Sequence, residues 1–231
     1  MQPLTYRPTV FSSYGHAGRQ LRTYFLHLLL VALIVGFFDI PLFVLGESWD
    51  DAAAATVLLQ LLLTAYQFLI RPIIGFGADL VYLRGMRDEA PDITAVFDGF
   101  RRNYLGIVLA HLLTVAIIGF GFVLLIVPGL IFLCRLAFVP YLVMDKGLEP
   151  VAAVEKSWSM TRGYSWRIFG LYVTGVVLFI VGLLFFAVGA FFALMWTRAA
   201  FASLYHAIDQ KEREQLEANG EGHAAHGTSP A

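Results

Sequence analysis

Apolar residues run in long blocks along this chain, separated by short polar stretches. A helix needs about 20 consecutive apolar residues to cross a bilayer. The blocks predict spans at residues 24–45, 58–83, 104–127, 130–144, 168–187 and 190–208. The last two come from one run, 168–208, which is too long for a single crossing and divides near Gly189. The run from 53 to 83 is also over-long, and Pro72 is placed to kink it. The expectation is an all-α, six-helix transmembrane bundle forming one integral membrane domain over residues 1–209. A polar tail, 210–231, starts as a helical extension and is expected to become disordered.

The polar stretches before the odd-numbered spans carry a helical period of their own. In "PDITAVFDGFRRNY", Ile93, Val96, Phe97 and Phe100 recur at i, i+3, i+4 and i+7. In "EPVAAVEKSWSMTRGY", Val151, Val154 and Trp158 share a face, and Pro150 suits a first helical turn. Phe11, Tyr14, Ala17 and Leu21 repeat the pattern near the N-terminus. Each reads as a short amphipathic helix lying in the membrane interface. Each ends in Arg-x-Tyr at the start of a span: Arg22 and Tyr24, Arg102 and Tyr104, Arg162 and Tyr164. These residues, with Trp158 and Trp166, are the expected interfacial anchors. The return spans also agree, reading "FLIR", "FLCR" and "MWTR". The pattern predicts three repeated helical hairpins, each preceded by an interfacial helix.

Composition supports the membrane assignment. Of 231 residues, 58% are hydrophobic and 14% charged, against about 25% charged in a soluble domain. Thirteen of the 16 lysines and arginines fall before, between or after spans on one side: Arg7, Arg19, Arg22, Arg84, Arg87, Arg101, Arg102, Lys146, Lys156, Arg162, Arg167, Lys211 and Arg213. The positive-inside rule then puts both termini in the cytoplasm, in a multi-pass protein of the inner membrane. The first twenty residues show no cleavable signal, so the first span is expected to direct insertion. A net charge of −1 argues against nucleic acid as partner. The single cysteine, Cys134, gives neither a disulfide framework nor a cysteine metal cluster.

The other three cations, Arg71, Arg135 and Arg198, fall inside spans. They precede the next basic residue, Arg84, Lys146 and Lys211, by 13, 11 and 13 positions. At about 1.5 Å per residue this sets each roughly 16–20 Å from the basic boundary, at a common depth. An unpaired charge there costs about 2.5–3.5 kcal/mol even on lenient scales. The spans offer two carboxylates, Asp39 and Asp79, at other depths. Arg71 and Asp79 lie eight apart on one helix and about 80° out of phase, so they need not pair. Pro72 and Pro140 free the carbonyls of Phe68 and Leu136 as further acceptors. The arginines either tie helices together through these groups or form a cationic pocket with surplus charge for an anion. Arginine suits bidentate phosphate contact.

His27, His111 and His206 lie on spans in no metal-binding spacing. "GFGAD" misses the GxGD spacing of intramembrane aspartyl proteases by one residue. No catalytic set, metal site or cofactor is expected. The stretch 127–170 resembles a superfamily of uncharacterised polytopic membrane proteins of bacteria and archaea, related to the membrane domain of some glycerophosphodiester phosphodiesterases. The resemblance rests on the Pro-Gly opening of a span, the arginine within it, the Asp145-Lys146-Gly147 turn, the pattern from Ala153 to Trp158, and the Arg162-Gly163-Tyr164 junction. It implies a fold and no activity; the phosphodiesterase domain is not in this sequence. The expected function is non-catalytic: a binding or scaffold protein whose Arg71, Arg135 and Arg198 contact an anionic phospholipid or a membrane-protein partner, which includes a homo-oligomer. The alternative is a small transporter or channel for an anionic solute.

Overall fold

A computed structural model describes residues 8–45, 54–184 and 186–226, and every regular element among them is helical. The expected outer loop at 47–51 lies outside the described residues. So do Arg7 and the end of the tail. The elements are α1 (Val10–Thr23), α2 (Phe25–Leu45), α3 (Ala54–Leu69), α4 (Arg71–Met86), a 3-10 turn (Ile93–Phe97), α5 (Asp98–Arg102) and α6 (Tyr104–Leu124). Then come α7 (Ile126–Arg135), α8 (Val139–Lys146), α9 (Pro150–Met160), α10 (Ser165–Leu184) and α11 (Phe186–His226). Five stretches have the length and apolarity of membrane spans: Thr56–Met86, Tyr104–Leu124, Ile126–Lys146, Ser165–Leu184 and Val188–Ala218. A sixth is added if α2 counts together with α1, which meets it at a 102° bend. The protein is thus membrane-embedded, with its apolar surface turned outward. Leu26, Leu61, Leu105, Val123 and Trp166 are all more than half exposed.

Local chemistry sets the helix ends. Thr9 and Ser12 form a reciprocal capping box that starts α1. Gly147 ends α8 in the left-handed region, φ 62°, and Leu148 N–H reaches back to the Leu142 carbonyl at 3.3 Å. Two spans are broken. Pro72 sits in the first turn of α4, so the long run divides at Ile70. Pro140 likewise opens α8, after the break at residues 136–138. The turn expected at Pro128–Gly129 lies earlier, at extended Leu125, with Pro128 inside the first turn of α7. Proline is tolerated there because the first-turn N–H groups have no helical acceptor.

The second break is stitched from outside. Ser157 of α9 donates to the Arg135 carbonyl at 2.7 Å and accepts from the Phe138 N–H at 3.3 Å. Thr161 adds a 3.3 Å hydroxyl contact to the same carbonyl. Val139 N–H takes the Leu136 carbonyl at 3.2 Å, so that group is not left for an arginine. Ala153, Ser157 and Thr161 are fully buried, so α9 packs into the bundle along that face.

The core gathers where α4, α8, α11 and α1 meet, around Tyr82, Tyr205 and Phe138. Tyr205 stacks on Tyr141 at 4.9 Å and meets Phe138 edge-on at 5.5 Å. Buried hydroxyls end on backbone carbonyls: Tyr82 on Leu28 at 3.2 Å and Tyr14 on Leu171 at 3.2 Å. Away from this core α10 and α11 touch backbone to backbone. A Cβ on Gly182 would stand 2.5 Å from the Gly189 carbonyl oxygen. The polar tail opens as the expected helical extension; α11 continues to His226, through a stretch of good helix formers from Lys211 to Ala218.

Ser157→Ala removes both of this serine's bonds across the break, leaving the Phe138 N–H without its partner and the Arg135 carbonyl with only the longer Thr161 contact. It should cost about 1–3 kcal/mol, read as a lower thermal midpoint in detergent. Ser159→Ala, at an exposed serine bonded to its own helix, should leave the midpoint unchanged.

Candidate functional site

Four of the charges inside the apolar runs sort into two pairs between helices. Arg71, at the start of α4, donates through Nε to Asp39 Oδ1 of α2 at 2.6 Å. The break at Ile70 frees the first turn of α4 to present this side chain. Arg198 of α11 donates through Nη1 to Asp79 Oδ1 of α4 at 3.2 Å, across 119 positions of sequence. Arg71 and Asp79 are not partners, as their phase on the helix predicted. The expected surplus of positive charge is corrected here: Arg71 and Arg198 each carry a carboxylate.

The two pairs face a common chamber of about 130 Å3, lined by Asp39, Arg71, Pro72, Asp79, His111 and Arg198. His111 stands in this wall with its ring 6.2 Å from Phe68 and 6.3 Å from Phe76. On the far side of Asp79 and Arg198 lies a second cavity of about 590 Å3. Its wall is mainly apolar and includes Phe179, Leu194 and Phe201, with Tyr141, Tyr172 and Thr197 as its neutral polar members. Asp79 and Arg198 are the two residues that line both spaces. Arg198 keeps 33% of its side chain and Asp79 19% open to these cavities.

Arg135 is not part of this arrangement. Its Nη1 donates to the Trp158 carbonyl at 3.2 Å and its guanidinium lies 5.3 Å from the Trp158 ring centroid. Arg135 points instead to α9, which packs against the break just after it. Trp158 is therefore the partner of a half-buried arginine as much as an anchor. Of the other anchors, Arg22, Arg162 and Trp166 are exposed. Tyr24 reaches the Asp88 carbonyl at 3.3 Å, Tyr104 stacks on Phe100 at 6.5 Å, and Tyr164 lies under Arg167 at 5.0 Å. Arg102 ends α5, and its side chain lies outside the described residues.

A second charged cluster was not read from the sequence. Arg87 makes a bidentate contact with Asp145, at 2.6 and 2.8 Å, and the Tyr205 hydroxyl donates to the same carboxylate at 3.3 Å. Asp209, only 2% exposed, takes Lys146 and, at 3.0 Å, Arg213, with Arg87 3.9 Å away. Lys156 pairs with Glu212, and Gln20 donates to Asp88 at 2.8 Å. These contacts fasten α1, α4, α8, α9 and α11 at the basic end of the bundle. One signal was available: Asp209 directly follows an apolar run and needs a cation. Among the described residues no three His, Cys, Asp or Glu side chains are grouped to hold a metal.

No protein-family model, curated protein or solved structure matches the chain. What the site can do therefore rests on its geometry: it offers one guanidinium and several hydroxyls at the end of an apolar space.

Asp209→Asn takes the shared counter-charge from Lys146 and Arg213. It should lower unfolding stability by about 1.5–3 kcal/mol, whereas Arg213→Gln, at a half-exposed partner, should cost less than about 1 kcal/mol.

Proposed function

We propose that this chain is a six-span protein of the cytoplasmic membrane, with both termini in the cytoplasm, that binds an anionic amphiphile without transforming it. The orientation follows from the one-sided distribution of lysine and arginine. The order of elements supports three repeated units. Each has a short helix or turn, a span and a return span: α1–α4, the 3-10 turn through α8, and α9–α11. The repeats differ in how the return span is treated, broken in the first two and continuous in the third.

One observation carries the binding function. Arg198 commits one nitrogen to Asp79, and its other N–H groups have no protein acceptor among the described residues, while a third of the side chain is exposed and the residue lines the apolar cavity as well as the chamber. A guanidinium left with free donors in an apolar surround favours an anionic head, and the cavity wall favours an acyl chain. The volume of about 590 Å3 falls in the ~300–1,000 Å3 range of ligand sites. Arg71 is a weaker contact, held by Asp39 in the smaller chamber. Arg135 is occupied by Trp158. A passage for a small anionic solute is less well supported, because the larger cavity beside Arg198 has a mainly apolar wall.

Arg198→Gln should weaken binding of an anionic amphiphile by roughly 10–100-fold, the loss of one charge-assisted contact. Native mass spectrometry with phosphatidylglycerol and palmitate reads this. Arg135→Gln should leave the same affinity unchanged. Equal retention of both lipids by all three proteins would contradict the reading.

A further inference from the structure

The Asp79–Arg198 pair restricts what the head of the amphiphile can be. It is the shared wall of the two cavities, so a head reaching Arg198 from the apolar side arrives beside the Asp79 carboxylate. Beyond the pair the chamber of about 130 Å3 holds only about four waters, at ~30 Å3 each. A phosphodiester or sulfonate stays ionised, and its arrival would leave two anions against one cation in an apolar surround. A carboxylic acid avoids this. It enters the bilayer neutral, and its carboxylate has the shape of the group already on Arg198.

Resting on the reading of the Arg198 cavity given above, we propose that the ligand is a long-chain carboxylic acid that takes the place of Asp79 on Arg198 and hands Asp79 its proton. The O–H bond of the ligand acid breaks and an O–H bond forms on an Asp79 carboxylate oxygen. The guanidinium exchanges one carboxylate for another, and the net charge of the site does not change. Asp79, now neutral, is released from Arg198, so the pair no longer closes the wall and the two cavities join. The other ionisable groups facing this step are His111 and the Asp39–Arg71 pair on the chamber side, with Tyr141 and Tyr172 on the cavity side. The Tyr82 hydroxyl is already committed to the Leu28 carbonyl.

Infrared difference spectra of the full-length protein in nanodiscs test the exchange, with palmitic acid isotopically labelled at its carboxyl carbon. Adding the acid should produce an unshifted protonated-carboxyl band, which belongs to the protein and disappears in Asp79→Asn. Asp79→Asn should also bind palmitate about tenfold more tightly, because the competing carboxylate is gone. A band found only at the label-shifted position would overturn the exchange, and that part needs no variant to fold. Wild-type affinities for palmitate and phosphatidylglycerol that are equal would overturn the carboxylic-acid class while leaving the Arg198 site in place. No change in palmitate binding on Arg198→Gln would remove the site itself.

Discussion

A guanidinium cannot stay unpartnered inside a bilayer, and much of this bundle is arranged around that constraint. Arg198 is held by Asp79 and Arg71 by Asp39, so four charges inside the apolar runs neutralise each other across α2, α4 and α11. Helix α4 contributes to both pairs, Arg71 at its first residue and Asp79 two turns on. It therefore links the charges of two other helices, and it also carries Tyr82 into the centre of the core. Pairs of this kind are not stability for its own sake, since desolvation offsets much of the Coulomb attraction. Their effect is to fix which helices are neighbours.

Backbone groups obey the same rule as side chains. A span broken by proline exposes carbonyl and N–H groups that lipid cannot satisfy. At the break after Arg135 the hydroxyls of Ser157 and Thr161 supply the missing partners, and the Arg135 side chain bonds the Trp158 carbonyl through Nη1 and lies over its ring, while its buried Nε has no partner among the described residues. Thus α9 serves the broken span on both counts. From Ala153 to Trp158 the helix supplies a small buried residue for close approach, a serine for the break, and a tryptophan for the arginine.

The apolar blocks made the helical class and most span positions legible, and the prolines marked both breaks within a few residues. The list of intramembrane charges was also legible, as was the fact that Arg71 and Asp79 do not face each other. The pairing itself was not, because it depends on which helices meet. Arg198 and Asp79 are 119 residues apart, and Lys146 and Asp209 are 63 apart. The partner of Arg135 was hidden for a related reason: it comes from α9, a helix outside the spans, and Arg135 does not line the chamber.

The cavity that reaches Arg198 joins these structural demands to the proposed function, since the residue that holds α11 to α4 also offers free donors to an apolar space. Everything built on the site requires that Asp79 and Arg198 hold each other in the resting protein. A double-mutant cycle of Asp79→Asn and Arg198→Gln, read as unfolding free energy in mixed micelles, measures that directly. A coupling of about 1.5 kcal/mol or more is expected for a close charge pair. Effects that add to within about 0.5 kcal/mol would mean the two side chains do not interact, and the wall between the cavities would not exist.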